Sequence, residues 1–317
     1  MDIQMSKSRI CVLMSTYNGG EYLGEQIDSI LHQEDVEVKL LIRDDGSMDN
    51  TCAVIEKYCI EFQDKVKKVD IYSGHWGYSR SFLYLLQYAW RNYSEWFSYV
   101  AFSDQDDVWL PQKLKRGADA LKDPTNPLIY FSPKLNVDRD LKIAFEEEVY
   151  MYQGFWDFYR QSNCSGCTAV FTKKYCELLN SSDLCSVSTV YHDAFIMRVA
   201  LCLNVEIIYD NKAYILYRQH GKNTIGALKK ETILKIAKKV DLLFKPRKHV
   251  YNNILREIVK HYYDLIPEIN KTKIRKCLNY DRRIFDKLYF LIEYNKFSNG
   301  SLREKIIFSS RIVFNFI

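Results

Sequence analysis

Three carboxylates fall within four positions at Asp104, Asp106 and Asp107, directly after the apolar run 98–102. Packed this closely they repel one another, which costs stability unless a cation neutralises them. A hard divalent ion such as Mg²⁺ or Mn²⁺, held by one or two carboxylates and by diphosphate oxygens, would do so. An acidic turn capping the helix that starts at Pro111 has the same composition, so the triplet alone leaves both readings open. Two more polar clusters follow apolar runs, STYN at 15–18 and DDGS at 44–47. The second is a turn by composition, yet an acid there could accept the imide N–H of a uracil or thymine. His192–Asp193 opens an apolar helix, where the dipole favours an acid, the more frequent reason for one there; in a functional reading Asp193 is a general base. The segment 217–226 sets Arg218, His220 and Lys222 among glycines. It could close over a diphosphate, Arg218 giving forked donors and His220 a donor or metal ligand, or be an exposed basic loop. Cys164 and Cys167 have zinc or redox half-site spacing, but no second pair stands at ligand spacing. A structural role, with a tight turn at Ser165–Gly166, fits them better.

The elements that must position these residues follow from periodicity. Strands are expected at 9–15, 38–42, 68–72 and 98–102, alternating with helices at 21–33, 49–62, 79–91 and 111–121. Such alternation predicts βαβ units, an α/β fold and a mostly parallel sheet covered on both faces. Ligands of such sheets collect beyond the carboxyl ends of the strands, where the polar clusters fall. Between about 125 and 226 the strand-like runs shorten (128–132, 167–171, 205–209 and 214–217), with one helix at 194–203. From Leu228 the chain reads as helical and basic, broken at Pro246 and Pro267, with a boundary expected near Gly226.

Composition narrows the class. The chain has 317 residues, 47% of them hydrophobic, with 12 Gly and 6 Pro, which excludes a disordered or collagen-like chain. No apolar run is long enough to span a bilayer, no signal peptide is expected, and an odd count of nine cysteines suits a reducing cytoplasm. The net charge of +5 hides an asymmetry: residues 227–317 hold 21 basic and 9 acidic side chains, a balance of +12. The remainder hold 24 and 31, a balance of −7. An acidic body with a basic tail suggests two jobs. The expected helix over 229–244 and the apolar end 305–317 could lie peripherally on the inner face of an anionic membrane, or pack on the body through the same stripe.

Taken in order, STYN (15–18), DDGS (44–47), SDQDDVWLP (103–111), SGCT (165–168), HD (192–193) and YRQHG (217–221) resemble the motifs of family 2 glycosyltransferases. The likeness is greatest to the bacterial rhamnosyltransferase branch, and it covers about residues 9–226. It implies a GT-A fold, a nucleotide-diphosphate sugar donor (dTDP-rhamnose or a UDP-sugar), a divalent metal and inversion at the anomeric carbon. By position, Ser15, Tyr17 and Asp45 would contact the nucleotide base, and Asp104 the ribose or metal shell. Asp106 would be the metal ligand of the DxD motif, Asp193 the catalytic base, Arg218 and His220 the diphosphate-facing loop, and Arg80 a basic donor contact. A glycan acceptor, lipid-linked and growing at the cytoplasmic face, would give the membrane reading of the tail a purpose. One departure is HDAFIM: the branch usually has aromatic residues soon after HD, whereas Ala194 follows here, so the acceptor pocket and the sugar are open.

Other classes fit less well. A nucleotidyltransferase needs a glycine- and lysine-rich loop near its start, and STYNGGEY carries no lysine. A dinucleotide oxidoreductase needs G-x-G-x-x-G after the first strand, which is absent. A non-catalytic membrane adaptor would use the tail but leave the acidic clusters unexplained, and an acidic body does not suit nucleic acid.

Overall fold

The computed structural model describes residues 7–69, 74–147, 151–160, 164–188, 191–220 and 250–315. The chain divides into two compact units. The first comprises Met1–Tyr150, Asn163–Met197 and Val205–Lys222; the second comprises Met151–Ser162, Arg198–Asn204 and Asn223–Ile317. The boundary expected near Gly226, the helix over 229–244 and Pro246 lie outside the described residues.

The first unit is built on a seven-stranded sheet. Strand β1 (Ser8–Thr16) is apolar from Ile10 to Met14 and buried from Ile10 to Thr16, as a central parallel strand covered on both faces must be. It pairs in parallel with β2 (Val36–Asp44), Thr16 standing opposite Asp44, and with β4 (Tyr99–Ser103), Met14 standing opposite Ser103. With β3 (Val66–Lys68), β6 (Leu128–Phe131), β9 (Val170–Thr172) and β10 (Glu206–Tyr209), the order is β10-β6-β9-β4-β1-β2-β3. The third strand is earlier and shorter than expected, and residues 70–73 lie outside the described ones.

Helices α1 (Leu23–Leu31), α2 (Thr51–Glu61), α3 (Tyr78–Tyr93) and α4 (Lys113–Leu121) connect the parallel strands. Leu23, Ile27 and Ile30 of α1, Ile55 of α2, and Leu114, Ala118 and Leu121 of α4 bury one helical face each beside Ile10, Val12, Leu40 and Ile42.

Two features decide where the site lies. Strand β9 is antiparallel to its neighbours, Ala101 opposite Val170, so the segment entering it (164–169) reaches the edge where β1, β2 and β4 end. A smaller sheet of β5 (Val108–Trp109), β11 (Ile215–Arg218), β7 (Leu135–Val137) and β8 (Ile143–Glu146) also forms. In it β11 runs antiparallel to β5, with Leu216 opposite Val108. That pairing draws Arg218 and His220 onto the acidic loop, across more than a hundred residues of sequence.

The second unit is helical. Helices Val250–Tyr262, Glu268–Leu278, Ile284–Phe297 and Leu302–Val313 surround an aromatic core with the short turn Phe155–Tyr159. The Tyr159 ring lies 4.7 Å from that of Phe290 and 5.2 Å from that of Phe308, which lies 4.4 Å from Tyr294. Pro267 caps the second of these helices, as its break in the pattern suggests. No described helix is long and apolar enough to cross a membrane.

Candidate active site

The three strand-end loops are tied together by hydrogen bonds. Tyr17 N–H donates to Gln105 Oε1 at 2.9 Å, and Gln105 Nε2 returns a bond to Tyr17 O at 3.2 Å. Asn18 N–H donates to Ser47 Oγ at 2.8 Å, and Met48 N–H to Asn18 Oδ1 at 2.8 Å. Ser15 is buried beneath them, whereas Tyr17 is 42% exposed, its ring 4.5 Å from that of His75. An open aromatic face beside a polar floor suits a base or a sugar.

Asp45 is turned inward. Its carboxylate pairs with Arg43 and accepts from Trp76 N–H at 2.8 Å and Gly77 N–H at 2.7 Å. It therefore sets the entry to α3, where Gly77 takes a φ of 80° that a side chain would resist. The more exposed neighbour is Asp44. Burial raises its pKa, but hydrogen bonds from Ser47, Cys52 and Thr16 outweigh this and hold the carboxyl below its usual range. Arg80 is exposed and packs on Trp76, 4.7 Å from the ring, with Arg43 4.2 Å from the same ring. Trp76, Tyr78, Arg80, Leu83 and Ser188 border a cavity of about 300 Å³.

The acids of 104–107 divide into two layers. Asp107 is fully buried; one oxygen accepts from Arg218 N–H at 3.3 Å, and Oδ2 has no partner among the described residues. Burial, then the charges of Asp106 and Asp104, push its pKa well above the ordinary value. Asp104 is pushed up to about 7 by burial first and by Asp106 next, with Asp193 adding to the effect. Ligand atoms of Asp104, Asp107 and Cys167 lie within 4.8 Å of one another. Burial and these acids raise the Cys167 thiol, so it stands there as a thiol rather than a thiolate. Asp106 is the outer acid. Its Oδ2 meets His220 Nε2 at 2.8 Å, and its carbonyl accepts from Arg218 Nε at 3.0 Å. Arg218 also pairs with Glu25 and lies 4.6 Å over the Tyr22 ring.

Asp193 opens the helix His192–Leu203. It accepts from Gly166 N–H at 3.2 Å and from its neighbour Ala194 N–H at 2.7 Å. The 3-10 turn Gly166–Thr168 thus fixes this carboxylate, and only glycine fits, because a Cβ at 166 would come within 2.8 Å of His192 Nε2. His192 is buried between Phe82 (4.1 Å, stacked) and Phe102 (5.0 Å, edge-on), and burial drives its pKa down to about 4. Beside Asp193 stands a neutral ring.

The structure therefore brings together Asp104, Asp106, Arg218 and His220, with Asp193 near enough to Asp104 to raise it. Ser15 and Tyr17 sit on the adjoining loop, Asp45 lies beneath, and Arg80 faces the Trp76 cavity. Sequence reasoning missed Lys134. Its Nζ donates to Ser165 Oγ at 2.6 Å, lies 3.2 Å from Glu147 and covers the Tyr217 ring at 3.8 Å. Burial works against its charge, but Cys167, Glu147 and Asp107 outweigh this and raise its pKa. It follows β6 as the other polar residues follow their strands, which was the signal available.

A divalent metal suits this donor set. Asp106 and His220 offer a carboxylate oxygen and an imidazole nitrogen side by side. The unpartnered Asp107 oxygen and the raised Asp104 mark a local excess of negative charge that Lys134 only partly offsets.

A mostly parallel sheet that ends in this cluster of acids is an α/β fold of the GT-A type. Residues 11–198 match the family model "Glycosyl transferase family 2", and the chain belongs to that family. It is 28% identical over 219 residues to a dTDP-rhamnosyl transferase, RfbG of Shigella flexneri, a match covering 68% of this chain and 74% of that one. Among solved structures, S. aureus TarS 1–349 with UDP-GlcNAc superposes with a TM-score of 0.54 at 16% identity, covering 97% and 80% of the two chains. The mannosyltransferase PcManGT of Pyrobaculum calidifontis, with GDP-Man and Mn²⁺, gives 0.51 at 13% identity, covering 99% and 82%. At these identities the structures speak to the fold alone. The chain is a rhamnosyltransferase-like, nucleotide-sugar glycosyltransferase.

Proposed function

We propose that the enzyme moves rhamnose or a related deoxyhexose from a nucleoside-diphosphate donor, dTDP-rhamnose foremost, to a hydroxyl of a growing, lipid-linked cell-surface polysaccharide. Transfer inverts the anomeric centre. The observation that carries this reading is Asp193, an acid oriented by two backbone amides beside the carboxylate cluster. A sugar hydroxyl is a weak nucleophile at neutral pH, so Asp193 takes its proton as attack proceeds from the face opposite the leaving group. Positioned proton transfer of this kind supplies roughly 10²–10⁴ in rate.

The leaving nucleoside diphosphate gains negative charge as its bond to the sugar breaks. Arg218 and His220 face it, and Asp106 with His220 would hold a Mg²⁺ or Mn²⁺ ion, which when bound offsets that charge. Ser15 and Tyr17 take the base, Asp45 shapes the base pocket through its bonds at 76–77, Asp104 approaches the ribose and Arg80 reaches toward the donor phosphates. Residues 1–226 form the catalytic part, and the basic region 227–317 rests on the inner face of the plasma membrane, where a lipid-linked acceptor grows. Thermal stabilisation by dTDP, UDP and GDP, each with Mn²⁺, tests the donor, since a ligand shifts stability by its binding free energy. Preferential stabilisation by dTDP supports this reading. Preference for UDP moves it to a UDP-hexose transferase, and indifference to all three rejects it.

A further inference from the structure

Helix Ile284–Phe297 is apolar on two faces. Phe290 and Tyr294 are buried in the aromatic core of the second unit, with 0% and 1% exposure. At about 100° per residue, Ile284, Phe285, Leu288 and Ile292 share the opposite side, and they are 63%, 81%, 48% and 62% exposed. The next helix, Leu302–Val313, repeats the arrangement. Phe308 and Ile312 are buried, whereas Leu302, Ile306 and Val313 are 75%, 61% and 50% exposed along one stripe. The two helices lie against each other, Asn295 Nδ2 bonding Ser309 Oγ at 2.8 Å and Lys287 Nζ bonding Val313 O at 3.2 Å. A run of large apolar side chains on adjoining helices is a costly surface to leave in water, and a patch of this kind marks an interaction site.

Charge selects the occupant. Lys296 and Arg303 are exposed beside the stripe, and Arg282 and Arg283 at its N-terminal end outnumber the exposed Asp281, while Asp286 and Glu293 lie about 80–100° beyond its edge round their helix. Across residues 250–315 there are 13 basic and 7 acidic side chains. Two copies of such a surface repel each other, whereas an anionic lipid headgroup layer attracts it and admits the apolar side chains to the acyl boundary. We infer that the face carrying Phe285, Leu288, Ile292, Leu302, Ile306 and Val313 docks on an anionic bilayer surface. This deepens the membrane reading above, which rested on residues 229–244 and the chain end, by assigning the contact to two described helices. It needs no assumption about the sugar or the reaction.

The test is flotation of the full-length chain with two sets of vesicles, phosphatidylcholine alone and an equal mixture with phosphatidylglycerol. The wild type should float with the mixed vesicles, weakly or not at all with the neutral ones, and lose binding as salt rises. Phe285→Glu with Ile292→Glu alters two side chains that already face water, so folding should hold, checked by an unchanged nucleotide-induced thermal shift. This variant should lower partitioning roughly tenfold or more. Arg282→Glu with Arg283→Glu should lower it on mixed vesicles only. Equal flotation of the wild type and the Phe285/Ile292 variant overturns the inference, as does absence of wild-type flotation. A lipid-free dimer that the same variant dissociates also overturns it, by giving the stripe to a second copy. Because nucleotide binding is read separately, failure here is distinguishable from failure of the transferase reading.

Discussion

The strand-end cleft of the first unit and the two last helices of the second each carry something a protein in isolation does not want. In the cleft it is charge: Asp104 and Asp107 sit where burial and mutual repulsion oppose their ionisation. On the helices it is apolar surface, with Phe285 81% exposed. The two surpluses differ in sign and solvent, and so they call for different partners. Crowded carboxylates that Lys134 only partly offsets would be relieved by a divalent cation; apolar stripes flanked by basic residues would be relieved by an anionic lipid surface. A unit's unmet physical need identifies what it binds more surely than its composition does.

The largest effect expected is in the cleft. Asp193→Asn should lower turnover by about 10²–10⁴ while nucleotide-induced thermal shifts stay at the wild-type value. A normal kcat in that variant would remove the base from the account and with it the contrast between the two units. Next, Asp106→Asn should cost roughly 10²-fold in rate and flatten the dependence on Mn²⁺; a variant with unaltered metal response would leave the acid surplus without a purpose.

Gly166→Ala should cost on the order of 1–3 kcal/mol in stability, because the new methyl meets His192 and Asp193. Its kcat should fall more than its nucleotide affinity, since the displaced group is the base. Equal losses in both would make the turn merely structural.

His192 sharpens the comparison through pH. Its folded pKa lies below the unfolded 6.5, so the unfolded chain binds the proton more readily and stability falls as pH drops from 6.5 toward about 4. The loss is on the order of 3 kcal/mol over that window, read from denaturant midpoints, and His192→Gln should flatten it. An unchanged slope in the variant would place the acid sensitivity elsewhere.

Much of the cleft was legible in the sequence because its residues follow long apolar strands. Thr16, Asp44 and Ser103 stand just past the apolar runs 9–15, 38–42 and 98–102 that mark these strands, and they end neighbouring strands of the sheet. The smaller sheet was not legible: β5 has two residues and β7 three, too short for any period to show. For the same reason the motif order placed Arg218 and His220 near the donor, while their actual partners, Glu25, Asp106 and Asp107, came only with the pairing of β5 and β11. Lys134 was passed over because its place after a strand is its one local mark; its meaning depends on Ser165 and Tyr217, distant in the chain. In the second unit the aromatic turn Phe155–Tyr159 reads locally as a loop, yet it is core to helices a hundred residues later. Helix Ile284–Phe297 gives a weak amphipathic signal because it is apolar on two faces, which hides the exposed stripe that now distinguishes it.

The most direct measurement is an electron paramagnetic resonance titration of Mn²⁺ into the full-length protein with dTDP, comparing wild type with Asp106→Asn and His220→Ala. The account predicts that Mn²⁺ binds stoichiometrically only when the nucleotide is present, and that each substitution weakens it by roughly tenfold or more. Mn²⁺ affinity that ignores both substitutions, or that owes nothing to the nucleotide, would contradict it.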